Sequence, residues 1–317
     1  MRILITGMGG FTGKKLAQFL FQHTPNHDIH GTVFKEESSD SSLEYATSHR
    51  IDLADEKMVY QLIRDVQPDR IFHLAAQSFV PISFTKPWNT IRNNTQAQLN
   101  VFEACRANNL KPKILVTSSA DIYGNVSPEE LPITENSPLR PLSPYAVSKI
   151  TQDLLAYQYR HTYKWHIVTI RQFNHTGPGQ NDNFVIPAFA KQIAQIEAGL
   201  QDRIIKVGDL SAQRDFTDVR DVVRAYHLLL DSDETSNEYN LASGKAHSIQ
   251  HILDLLIAQS TRTDIIVETD PELFRPSPSP ILVGDCSRLR QAIGWQPEIP
   301  IEQTVTEILD FYRERFA

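Results

Sequence analysis

Residues 2–15 read RILITGMGGFTGKK. A short, largely β-branched run from Arg2 to Thr6 breaks into glycines, and a helical pattern begins at about Phe11. Strand, glycine turn and helix in this order open a doubly wound α/β fold. Gly7, Gly10 and Gly13 lie three apart, where backbone must turn sharply and approach an anion, and the amides opening the helix point toward that anion. A Walker phosphate loop is excluded: Met8 stands where its first glycine is needed, and Lys15 where Ser or Thr must follow the lysine. A dinucleotide pyrophosphate fits instead, with Gly7, Gly10, Phe11, Thr12 and Gly13 around it.

The same alternation continues outward. HDIHGTV (27–33), RIFHLAA (70–76), KILVTSS (113–119) and HIVTIR (166–171) read as strands, separated by helical patterns from Asp55, after Pro87 and from Ser143. The expected fold is α/β: a parallel Rossmann sheet over about residues 1–174, then a smaller α/β unit over 175–317 whose loops are rich in Gly, Pro and Asn. Helices are expected there at 184–198, 249–259 and 301–316. A helix at 217–230 and a strand at Tyr239–Leu241 read as a return, over 217–242, to the first unit. Glu36 to Ser48 is polar and Ser-rich, and reads as a surface loop; Arg275 to Pro280 alternates proline and is extended.

With 317 residues, 41% of them hydrophobic, the chain has material for a sizeable core. A formal net charge of −7 argues against general nucleic-acid or membrane-surface binding and leaves any anionic ligand to local arginines. Cys105 and Cys286 are far apart, so neither a disulfide framework nor a thiolate metal site is expected. The 11 histidines show no metal-ligand spacing, and no metal is expected. Met1 runs almost directly into the first strand and no apolar run approaches spanning length, so the expected compartment is the cytoplasm.

At the tip of the second strand, Gly31-Thr32-Val33-Phe34-Lys35 contains no acidic residue to hold a ribose 2′-hydroxyl or repel a 2′-phosphate. This favours NADP(H) over NAD(H), with NAD(H) still open; Lys35 is either the phosphate partner or one more solvated lysine. Asp52 is spaced to end the third strand, as an adenine contact or a neighbour of a helix cap.

Ser143-Pro144-Tyr145-Ala146-Val147-Ser148-Lys149 opens a helix with Tyr145 and Lys149 on one face. An ammonium beside a phenol stabilises the phenolate and lets tyrosine trade protons near neutral pH. At the end of the preceding strand, Ser119 offers a hydroxyl for a substrate oxygen.

GMGGFTG, HLAAQS, the Ser-Tyr-Lys set, FNHTGPGQ, GDLSAQRDFTDVRD and FRP together resemble the extended short-chain dehydrogenase/reductase family over nearly the whole chain. Within it they are most similar to the GDP-mannose 4,6-dehydratases and GDP-4-keto-6-deoxy-D-mannose reductases. The resemblance implies that Ser119, Tyr145 and Lys149 are catalytic and that Asn94 supports them. Gly7, Gly10, Gly13, Asp52, Leu53, Leu74, Ala75 and Ala76 then line the cofactor. It further implies a GDP-sugar substrate, with Ser83 and Asn174 near the hexose, Lys191 near the base, Arg214 and Arg275 on the diphosphate, and Asn183 also among the substrate-binding residues. It also implies a homodimer through the long helices at about 90–107 and 143–161. One departure touches the base: Ser277 stands shortly after Arg275-Pro276, where the GDP-mannose enzymes carry an acidic residue.

SSADIYG (118–124) bears on the two chemistries, although Asp121 by itself does not separate them, since the reductases it resembles also carry an acidic residue there. Dehydration needs a base for the C5 proton and an acid for the departing hydroxyl. Here Ala120 can be neither, and Asp121 is one methylene shorter than the glutamate of the dehydratases. Reduction needs only a hydride, the Tyr145 proton and Ser119, so an NADPH-dependent 4-keto reductase is expected; the alternative is a sugar-nucleotide dehydratase or C4 epimerase with Asp121 as base. A catalytically silent relative would have a broken Ser-Tyr-Lys set, which here is whole.

Overall fold

Every position of Arg70–His73 and of Ile167–Gln172 is buried, as in parallel strands covered on both faces. A computed structural model describes residues 1–34, 45–233, 237–274 and 279–317. Its strands are β1 (Arg2–Thr6), β2 (Asp28–Val33), β3 (Thr47–Arg50), β4 (Arg70–His73), β5 (Lys113–Thr117), β6 (Ile167–Gln172), β7 (Asn174–Thr176), β8 (Ile204–Val207), β9 (Gln213–Asp218), β10 (Glu238–Leu241), β11 (Ala246–Ser248), β12 (Ile266–Thr269) and β13 (Ile281–Leu282). Its helices are α1 (Phe11–His23), α2 (Glu56–Val66), α3 (Val80–Thr85), α4 (Pro87–Ala107), α5 (Pro144–Tyr163), α6 (Val185–Glu197), α7 (Val219–Asp231), α8 (Ile249–Ala258), α9 (Ser287–Ile293) and α10 (Ile301–Phe316).

Seven parallel strands form the central sheet in the order β10-β6-β5-β4-β1-β2-β3. The order reverses between β1 and β4, so a crevice opens beyond their C-terminal ends, where the glycine turn and HLAAQS both lie. Strand periodicity divides the core. Ile3 and Ile5 pack with Leu16 and Leu20 of α1 and Val222 and Leu229 of α7; Leu4 points the other way, to Val59 and Ile63 of α2, Phe102 of α4 and Tyr159 of α5. A separate core joins α6, α8 and α10 with β8 and β9.

Helix starts follow their caps. Asp55 accepts from Lys57 N and Met58 N to open α2, and Ser143 accepts from Ala146 N at 3.0 Å, with Pro144 in the first turn, to open α5. The helix expected from 217 starts at Val219 instead, because Thr217 and Asp218 complete β9 and the Asp218 carboxylate caps α7. Strand β10 joins β6 at the sheet edge, as the pattern at Tyr239–Leu241 suggests. Strand β3 begins inside the stretch read as a loop; β7, β9, β11 and β13 have no clear strand signature, while β8 and β12 carry β-branched runs that lie outside the expected strands. They are short, several are polar, and β12 is exposed throughout, so pairing rather than alternation makes them strands.

Candidate active site

The glycine turn is built from steric necessity. Gly7 has φ +72°, and a Cβ there would come within 2.8 Å of the Ala75 Cα; at Gly13 it would lie 2.4 Å from the Gly7 carbonyl oxygen. Met8 is buried over Gly31 of β2, where no side chain would fit beneath its thioether. The strand tips are stitched together by Gly7 N donating to Thr32 Oγ1 (3.0 Å), Leu74 N to the Thr6 carbonyl (3.2 Å) and Ala75 N to Thr6 Oγ1 (3.3 Å). Exposed Gly10 precedes α1, leaving the mouth of the turn without a side chain over the first helical amides, and these residues fit a dinucleotide pyrophosphate.

Phe11 and Thr12 are held from across the crevice. Phe11 stacks on His175, ring centroids 6.0 Å apart, and Thr12 Oγ1 hydrogen-bonds His175 Nε2 at 2.9 Å. Burial depresses His175 to about 4, so its imidazole is neutral. Asp52 is exposed two residues beyond β3, its carboxylate accepting from Ala54 N, while the helix cap is Asp55. Leu53 is buried beneath, with its carbonyl bonded to Asn100. Ala76 is half-buried beside Ala75. Lys35 lies outside the described residues.

Ser119, Tyr145 and Lys149 converge at the C-terminal edge of β5. Ser119 lies two residues beyond β5 in an extended conformation, caps the following turn by accepting from Asp121 N at 3.2 Å, and acts on the Tyr145 phenol. Burial raises the Tyr145 pKa; the Asp121 charge adds to the rise and Ser119 offsets part of it. Lys149 Nζ sits 5.9 Å from the Tyr145 ring centroid, and burial lowers it to about 7. Asn94 is buried on α4, exchanging bonds with the Gln77 backbone and donating to Ser148 Oγ at 2.9 Å, so it braces α5 against the loop after β4. His73 is a buried core histidine bonded to Thr6 Oγ1.

On the facing side, Asp121 and Arg214 sense each other. Burial raises the Asp121 pKa and Arg214 opposes the rise; burial lowers the Arg214 pKa, with Asp121 and Asp209 opposing. Asp215 and Asp218 are engaged elsewhere, with Ser243, Gly244 and Gly284, and with Arg220 and Thr304, respectively. Lys191 Nζ pairs with Asp182 at 2.6 Å. Asn174 is exposed at the start of β7, paired with Phe216 beside Arg214; Asn183 is exposed just before α6. Ser83 is fully buried in α3 and donates to the Val80 carbonyl. Arg275 lies outside the described residues. Among the described residues no cluster of His, Cys, Asp and Glu could hold a metal ion. Unforeseen in the sequence are the Thr117 carbonyl beneath Lys149 and the His175 clamp on the glycine turn, which bring together residues far apart along the chain.

A parallel sheet with a glycine turn at its switch point and a Ser–Tyr–Lys set at the next strand edge defines a Rossmann enzyme of the short-chain dehydrogenase/reductase class. A family model described as GDP-mannose 4,6 dehydratase matches residues 4–308, and the chain belongs to that family. It is 36% identical over 315 residues to a GDP-6-deoxy-D-mannose reductase of Pseudomonas aeruginosa, covering 99% of this chain and 98% of the relative. A GDP-mannose 4,6-dehydratase of Yersinia enterocolitica is 29% identical, covering 97% of this chain and 92% of that one. A solved structure of RMD from Pseudomonas aeruginosa complexed with NADPH superposes with a TM-score of 0.87 at 35% identity, covering 99% of each chain.

Proposed function

We propose that this protein uses NADPH to reduce the 4-keto group of GDP-4-keto-6-deoxy-D-mannose, giving a GDP-6-deoxyhexose such as GDP-D-rhamnose. The observation that carries this reading is the buried Ser119–Tyr145–Lys149 set flanked by an alanine at 120. NADPH, when bound, supplies the hydride. Tyr145, kept protonated by its burial, donates its proton to the developing alkoxide at C4. Ser119 orients and polarises the carbonyl oxygen, and the Lys149 ammonium stabilises the phenolate left behind. Asp52, Leu53, Leu74, Ala75 and Ala76 take the cofactor roles implied by the family, and Lys35, which follows β2 in the sequence, meets the cofactor 2′-phosphate. Arg214 and Arg275 neutralise the diphosphate, Asn183 and Lys191 face the base, and Ser83 and Asn174 the hexose.

With Ala120 beside it, Asp121 has no neighbour in the turn to complete an acid and base pair across C5 and C6. It remains the observation behind the second reading, a dehydratase or epimerase, because its charge acts on Tyr145. Purified protein that retains nicotinamide and turns over GDP-mannose without reductant would favour that reading.

Residues 1–174 and the return at 217–242 form the cofactor unit in this reading, and most of 175–317 the substrate unit. A homodimer through α4 and α5 is supported by Leu99 and by Val147, Leu154 and Tyr157, all exposed, the last three on one face of α5. The acidic balance of the chain is consistent with a cytoplasmic enzyme without nucleic-acid partners, and among the described residues no helix is long and apolar enough to cross a membrane. Tyr145→Phe tests the chemistry: keto-sugar reduction should fall about 100- to 10,000-fold while NADPH still quenches protein fluorescence. Wild-type turnover by the variant would contradict it.

A further inference from the structure

Arg171 lies inside β6, every residue of which is buried, and is itself 7% exposed. An interior cation there is costly unless each of its donors is answered. Nε and one terminal nitrogen are answered by three partners. Nε donates to Asp153 Oδ2 at 2.8 Å, and one terminal nitrogen donates to the Glu135 carbonyl at 2.7 Å and to the Tyr123 hydroxyl at 3.2 Å. The Tyr123 hydroxyl passes its own proton to Asn240 Oδ1 at 2.7 Å, and Asn240 Nδ2 donates to the Ile133 carbonyl at 2.9 Å.

Two of these partners lie on the two catalytic elements. Asp153 is on α5, one turn beyond Lys149 and two beyond Tyr145, and Tyr123 ends the short 3₁₀ turn that starts directly after Ser119. We propose that Arg171 is a positioning residue, a buried strut that fixes the Ser119-to-Tyr145 separation by bracing the 120–123 turn and helix α5 against one guanidinium. A well-packed apolar residue could serve stability as well as this ion pair does. Only a planar fork braces the carboxylate on the helix, the phenol that ends the turn and the Glu135 carbonyl at once. Proton transfer needs that separation held tightly, since a shift of about 1 Å costs on the order of 100-fold in rate.

The kinetic part of this inference rests on the reductase reading; the structural part does not. Arg171→Lys keeps a cation for Asp153 and loses the fork, and Tyr123→Phe removes one hydroxyl while leaving the Arg171–Asp153 pair intact. Both variants are compared with the full-length wild type in two measurements. In steady-state reduction of the keto sugar, kcat should fall about 10- to 100-fold in Arg171→Lys and less in Tyr123→Phe, with KM for NADPH and sugar unchanged. In hydrogen exchange without ligand, amides of 119–124 and of 145–153 should both exchange faster in the variants. Unchanged exchange in both segments overturns the strut whatever the activity, and so does a rise in KM at wild-type kcat. If the wild type fails to reduce the keto sugar while exchange in both segments quickens, the reductase reading falls and the strut stands. If Arg171→Lys does not fold, Tyr123→Phe decides on the same two measurements.

Discussion

Lys149 Nζ donates at 2.8 Å to the backbone carbonyl of Thr117, the last residue of β5. The catalytic helix is thereby pinned to the strand that leads to Ser119, and the ammonium is sealed beside Tyr145. Burial lowers the Lys149 pKa to about 7, so in the free enzyme its charge is present below that pH and is lost as pH rises through it. A pH profile of kcat/KM should therefore fall with rising pH around about 7, as the free enzyme loses the charge that stabilises the phenolate. Lys149→Met should remove this limb with most of the activity. A profile flat well into the alkaline range would contradict the role given to the ammonium.

The same shift has a consequence for folding. The unfolded chain keeps the lysine proton to its ordinary value of 10.5, far above the folded value, so burying Lys149 costs most at low pH and progressively less as pH rises from about 7. Lys149→Met should raise Tm more at acid pH than at alkaline pH, as followed by circular dichroism melts. A gain that grows with pH would have the wrong sign.

Gly13→Ala should be among the most damaging single-methyl changes in the chain. Its Cβ would sit 2.4 Å from the Gly7 carbonyl oxygen and 2.7 Å from the Met8 Cα, both backbone atoms that cannot swing away. The turn must open to admit it, at a cost of about 2 kcal/mol or more. A lower Tm and at least a tenfold weaker NADPH affinity are expected by titration; wild-type affinity would mean the turn does not hold the cofactor.

His175 should act on the cofactor side although it belongs to β7. Its imidazole stacks on Phe11 and fixes the Thr12 hydroxyl, so His175→Ala should raise KM for NADPH more than KM for the sugar. Because the group is already neutral above about 4, the effect should be the same across the working pH range. Equal loss on both substrates would show the clamp to be general packing.

Leu154 is 57% exposed on α5, close to Val147 and Tyr157 on the same face. Leu154→Asp should convert a dimer to a monomer in size-exclusion with light scattering, with little change in the melt of the monomer itself. A wild type that is already monomeric at micromolar concentration would remove the proposed interface.

Much of this was legible in the sequence because local chemistry carried it. Glycines at 7, 10 and 13 mark a turn too tight for a side chain, Ser143-Pro144 announces the start of α5, and a Tyr and Lys four apart must then share a face. What was hidden depends on chain-distant pairing. Strand β9 reads QRDFTD and becomes a strand only because β7, β11 and β13 pair with it, and a charged residue inside β6 gives no sign that Asp153 and Tyr123 meet it. Arg214 was singled out for a diphosphate, yet only the fold brings it within reach of the Asp121 charge.

The most direct measurement is NADPH oxidation by the purified protein on freshly prepared GDP-4-keto-6-deoxy-D-mannose, run beside GDP-mannose without added reductant. The account predicts oxidation with the keto sugar and no reaction with GDP-mannose. A keto product formed from GDP-mannose, with no NADPH consumed on the keto sugar, would show that Asp121 suffices for elimination and that the chain is a dehydratase.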